Sequence, residues 1–125
     1  MGDRALVLFH SGDKSEITPI IYLHWLGREV PNLIAETKLV MASCHDDPSY
    51  AAARFCAVAC SHSNGNAGIG LLSAPDDVLT NAGEHSHGDA GVILVNAATF
   101  EWTAHGGYLS RFDHSTGQMQ DENAA

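Results

Sequence analysis

The 125 residues, 45% hydrophobic and 17% charged, suit one globular domain and argue against an intrinsically disordered chain. Fifteen acidic against six basic residues leave a formal net charge of -9, which excludes nucleic-acid binding through a basic face. No run approaches the ~18 apolar residues of a membrane span, and three cysteines, an odd number, argue against a disulfide framework; a cytoplasmic protein is expected. The start, Met1-Gly2-Asp3-Arg4, matches neither a signal peptide nor, with Leu6 at the sixth position, the myristoylation pattern.

In chain order, residues 4–10 form an apolar run rich in strand formers that ends at the turn residues Ser11-Gly12-Asp13-Lys14. Residues 16–25 read as a second strand, completing a hairpin. Pro19 cannot donate to a ladder, so this strand is expected at a sheet edge or at a bulge. Gly27 breaks the strand, and Pro31 suits the first turn of a helix because its missing N–H would be unpaired there anyway. Val30, Leu33, Ile34, Thr37, Val40, Met41 and Cys44 follow a helical stripe to about Ser43. Asp47-Pro48, an N-cap acceptor followed by proline, opens a second helix with Ala51, Phe55, Val58 and Ala59 on its inner face, and Ser63-Asn64-Gly65-Asn66 stops it.

Residues 68–74 form a short third strand, and 75–91 a polar loop rich in Gly and His. Residues 91–96 and 99–104 make a final hairpin around Ala97-Ala98, with Ile93 and Val95 beside Phe100 and Trp102. Residues 1–109 thus form a single α+β domain, an antiparallel sheet of four to five strands with two helices packed on one face in the order ββ-αα-ββ. Residues 110–125 are expected to be a polar, flexible tail.

Eight histidines make metal binding worth weighing. His85-Ser86-His87 with Asp89, and His24 as a third imidazole, have the ligand types that zinc or another divalent metal takes. No known ligand spacing is present, and a solvated loop is the plainer reading. Cys44-His45-Asp46-Asp47 has the composition of a nucleophile and base, yet adjacent residues rarely point at one another; Cys56 and Cys60 read as small buried hydrophobes. A further constellation spans elements. His24 and Trp25 end a strand, Asp46 and Asp47 open the second helix, and Tyr50 and Arg54 follow one and two turns on. If the helices fold back over the sheet, a carboxylate would meet His24 and favour its charged form. The plainer alternative has Asp47 capping the helix, Arg54 pairing with it and His24 topping the core.

Leu23-His24-Trp25-Leu26-Gly27, Asp46-Asp47-Pro48-Ser49-Tyr50 with Ala53-Arg54, and Gly68-Ile69-Gly70 resemble a group of small phage and prophage proteins. In that group a strand ends in Ser-His-Trp-Gly-Gly, Asp-Asp-Pro-Ser-Tyr opens a second helix, and a glycine-containing strand comes next. The likeness spans residues 5–105, with Leu23 in place of the Ser and Leu26 in place of the first Gly. It implies a viral or mobile-element origin and work on host machinery or in virion production, without naming any chemistry. No catalytic signature is present. The expectation is a non-enzymatic module, a small homo-oligomer, that binds a protein partner such as a host-encoded one, with no cofactor and no membrane. A metal-dependent hydrolase or metal-binding protein is the alternative.

Overall fold

A computed structural model describes residues 2–41, 47–62 and 68–120. Its main sheet has five strands: β1 (Ala5–His10), β2 (Ile20–Leu23), β3 (Ile69–Leu72), β4 (Gly91–Asn96) and β5 (Trp102–His105), in the spatial order β3-β2-β1-β4-β5. Two helices, α1 (Val30–Val40) and α2 (Pro48–His62), connect β2 to β3. The class is α+β with two helices, as the hydrophobic periods predict. The sheet, however, is mixed and not antiparallel throughout: β1 and β4 run parallel at its centre, in register from Ala5↔Gly91 to His10↔Asn96.

The reason lies in those two strands. Neither alternates apolar with polar residues, and both are buried nearly end to end, the mark of strands covered on two faces. Val7, Phe9, Ile93 and Val95 meet Leu33, Ile34, Phe55 and Ala59 of the helices. Leu6, Leu8, Val92 and Leu94 meet Val78 and Ala82 from the segment between β3 and β4. The presumed loop is therefore a cover for the second face, turned through a short 3-10 helix at Ala82–His85.

Pro19 also departs from expectation. The strand after it, β2, lies between β1 and β3 and is not an edge. The ladder is broken just before it instead: a single bridge pairs His10 with Ile17, the Phe9 N–H donates to Thr18 Oγ1 (3.1 Å), and the Thr18 N–H donates to the Phe9 carbonyl (3.0 Å). The Thr18 N–H thus reaches the carbonyl that Pro19 cannot, and the Thr18 hydroxyl accepts from the Phe9 N–H, so both Phe9 backbone groups are paired.

After β5, a 3-10 turn at Tyr108–Arg111 leads to a two-stranded ribbon, β6 (Phe112–Asp113) with β7 (Gln118–Met119). Phe112 packs on Trp102, ring centroids 5.1 Å apart, which fastens the ribbon to the domain.

Candidate functional site

The turn after β2 is held by Asp3. Its N–H donates to the His24 carbonyl (2.8 Å), and its own carbonyl accepts from the Gly27 N–H (2.8 Å). Its carboxylate takes the Arg28 N–H on Oδ2 (2.8 Å) and the Tyr108 hydroxyl on Oδ1 (2.6 Å). Within this clamp His24 Nδ1 lies 2.7 Å from the Tyr22 hydroxyl, and the imidazole meets Trp25 edge to face at 4.3 Å. Trp25 is thereby fixed in place while 52% exposed. Gly68 sits beneath both rings at φ +61°, where a Cβ would come within 2.9 Å of His24 Cβ and 3.3 Å of Trp25 Cδ1; conformation and space both call for glycine. On the other side of Tyr22 lies His87, at 5.8 Å. Arg4 Nε pairs with Asp89 at 2.8 Å while a second guanidinium nitrogen donates to the His87 carbonyl at 2.9 Å. The hydrogen bond from the Arg4 side chain, with a second from its backbone N–H, holds the Asp89 carboxyl below the ordinary range.

The two halves of the predicted constellation do not meet. His24 and Tyr22 follow the alternation of β2 onto the face away from the helices, as period two predicts; Tyr22 packs with Leu6, Leu8 and Ile20. Asp47 lies on the helix side, beside Thr18 and Pro19 at the beginning of β2, whereas His24 lies past its end. Asp47 caps α2, its Oδ1 accepting from the Ser49 N–H (2.9 Å) and the Tyr50 N–H (3.4 Å). Arg54 turns to Tyr50, donating to its hydroxyl at 2.9 Å with the guanidinium carbon 4.3 Å from the ring centroid. Asp46, with Cys44 and His45, lies outside the described residues.

The candidate metal ligands have other partners. His85 bonds Asp77 at 2.8 Å, Asp89 is engaged by Arg4, and His24 by Tyr22. Among the described residues no three His, Cys, Asp or Glu side chains are grouped to hold a metal ion. Cys56 is half-buried, which raises its thiol pKa, and Cys60 is exposed.

What the described structure leaves open is an edge. The outer side of β3 pairs with no other described strand. The His24 N–H donates to the Gly68 carbonyl (3.2 Å), and β2 pairs with β3 through Tyr22↔Gly70 and Ile20↔Leu72, so the alternation turns the N–H and C=O of Ile69 and Leu71 outward. Leu71 (65% exposed) and Leu72 (43%) flank this edge on opposite faces. On the helix side a cavity of about 380 Å³ separates the edge from α2. Ile17, Pro19 and Leu71 line it from the sheet and Ala52, Ala53 and Cys56 from the helix, with Glu16 and Asp47 also in the lining. Trp25 stands at one end of the edge, over Gly68, and Ile17 at the other.

Sequence reading missed Leu71 and Ile17. The available signal was Leu71-Leu72: consecutive apolar residues of a strand point to opposite faces, and a strand at the rim rarely buries both. Compared with known proteins, the chain matches no family model, no curated protein and no solved structure.

Proposed function

We propose that the protein is a small, acidic, non-enzymatic binding module of viral or mobile-element origin, whose β3 edge receives an extended segment of a protein partner as a sixth strand. The observation that carries the reading is the open edge itself. Outward backbone groups at Ile69 and Leu71 lie beside an apolar cavity, with Trp25 and Ile17 exposed at the ends of the edge. Strand addition draws affinity from main-chain hydrogen bonds, about 1 kcal/mol net each, and specificity from pockets for alternate side chains. The cavity suits one aliphatic side chain of the incoming strand, because alanines and a cysteine form its helical wall. Glu16 and Asp47 in the lining, on a chain of net charge -9, favour a segment that interleaves apolar residues with lysine or arginine. The origin rests on the likeness of the His-Trp turn and the Asp-Asp-Pro-Ser-Tyr helix start to phage proteins.

The test uses the variant Leu71→Pro, which deletes one outward N–H and one apolar side chain at an edge position that tolerates proline. Binding of a labelled ten-residue peptide of alternating valine and lysine is followed by fluorescence polarisation, beside a valine–glutamate peptide of the same length. Binding of the lysine peptide alone, weakened about tenfold or more by Leu71→Pro, supports the reading. Equal binding of both peptides, or indifference to the variant, refutes it. A wild-type dimer in sedimentation that Leu71→Pro makes monomeric would replace the foreign partner by a second copy of this chain.

A further inference from the structure

At the opposite edge of the sheet, beyond β5, a second cavity of about 630 Å³ lies between Trp102, Tyr108, the β6–β7 ribbon and the first turn of α1. This volume is within the range of small-molecule sites. Its walls differ in kind from those of the β3 groove. Trp102, Phe112 and His114 form a ring cluster with centroids 5.1 Å (Trp–Phe), 4.4 Å (Trp–His) and 5.2 Å (Phe–His) apart. Across from them the Tyr108 ring is anchored through its hydroxyl to Asp3, and the Arg28 guanidinium carbon lies 5.5 Å from its centroid.

The electrostatics of this cavity run against those of the whole chain. The net charge is -9, yet among the described residues no carboxylate lines the cavity. Arg28 does, and its side chain makes no ion pair among the described residues. The Asp3 carboxylate nearby has both oxygens engaged, by Tyr108 and by the Arg28 backbone N–H. Pro31 and Asn32 bring the start of α1 to the wall, and Glu29, its N-cap residue, makes no side-chain capping bond. The Val30 N–H is already bonded to the Gly27 carbonyl and Pro31 has none to offer, so Arg28 is the principal positive group of this wall.

We propose that this cavity binds a flat aromatic ligand carrying a single anionic group. The ring lies against Trp102 and Phe112, and the anion meets Arg28. Aromatic faces accept a planar ring with little demand on its identity, while a guanidinium without an ion-pair partner selects for negative charge. Asn32 and Gln118 are the wall's directional donors and acceptors. A nucleoside monophosphate and an aromatic carboxylate share this chemistry.

The experiment is a proton–nitrogen correlation titration of the full chain with adenosine 5′-monophosphate, indole-3-acetate and neutral adenosine. Either anion is expected to shift the Trp102 indole N–H and the Asn32 and Gln118 amides with a Kd below about 1 mM, and the tighter one identifies the source. Adenosine is expected to bind about tenfold more weakly or worse. Arg28→Gln lowers the affinity for the anion about tenfold and leaves adenosine unchanged. Asn32→Asp, which adds a carboxylate to the wall, gives a similar loss by a separate route. Absence of shifts with both anions, or shifts that survive both substitutions undiminished, overturns the proposal and leaves the β3 reading untouched.

Discussion

Alanine at Gly27 would place a methyl group where the fold has no room. An ideal Cβ there lies 2.7 Å from Asp3 Oδ1, 2.8 Å from the Asp3 carbonyl oxygen and 3.0 Å from Ala90 Cβ. Favourable carbon contacts begin near 3.5 Å, so the closest neighbours must withdraw by roughly 0.7 Å. Asp3 Oδ1 is a side-chain tip but is held by the Tyr108 hydroxyl, and the other two, a backbone oxygen and an alanine Cβ, cannot turn aside. Asp3 would have to shift, and with it the hydrogen bonds to His24, Gly27, Arg28 and Tyr108. Overpacking costs about 1–3 kcal/mol, and one weakened hydrogen bond adds about 1 kcal/mol. The expected loss is about 3 kcal/mol, which lowers Tm by roughly 10 °C in a domain of this size. Urea unfolding followed by tryptophan fluorescence and by far-ultraviolet circular dichroism measures it, with Trp25 in the affected turn as a local reporter. Gly70→Ala is the control: no atom lies within 4 Å of its Cβ, and the expected change is within about 0.5 kcal/mol. A Gly27→Ala loss no greater than that of Gly70→Ala would refute the account of the turn.

Two further outcomes concern titration. Asp13 accepts hydrogen bonds from the Ser15 N–H, the Ser15 hydroxyl and the Ser11 hydroxyl, which lower its pKa to about 2. A depressed folded-state value means that this contribution is complete above the ordinary carboxylate pKa and is lost as pH falls towards 2. The Tm difference between wild type and Asp13→Asn is therefore expected to close across that window; a constant difference would contradict the turn geometry. Tyr108 is shifted the other way, above the ordinary tyrosine range, by burial first and by its bond to Asp3 second. Its contribution is complete below the ordinary tyrosine pKa of about 10 and declines above it. Tyr108→Phe is expected to cost about 1 kcal/mol at neutral pH and to remove one late-ionising component from an alkaline absorbance titration; an unchanged titration would count against the Asp3 clamp.

Local chemistry was legible in the sequence, and long-range assembly was not. The start of α2 could be read from Asp47-Pro48 because a cap and its proline act within one turn. The side shared by Tyr22 and His24 followed from period two alone. The parallel partnership of β1 and β4 joins residues a whole domain apart, and the solid apolar runs of both strands, not any neighbouring motif, were its trace. Val78 and Ala82 were hidden for a related reason. Isolated apolar residues in a polar stretch have no periodicity, and only a sheet with two faces to cover gives them a place. For the candidate site, His24 and Asp47 were identified as element ends, but the helices cover the face opposite His24. The open rim at Leu71 depends on which strand ends up outermost, which depends on that same long-range pairing.

The parallel pairing also governs how the chain reaches its native state. Each β1 residue meets a partner 86 positions later, as Ala5 meets Gly91, so the sheet closes only when almost the whole domain has emerged from the ribosome. Until then β1 and β2 have an open, fully apolar flank, and the entropy of closing a long loop must be met before β4 rewards it. Folding slower than that of helical domains of similar size is expected, with the nascent chain most open to aggregation or chaperone capture just before β4 arrives.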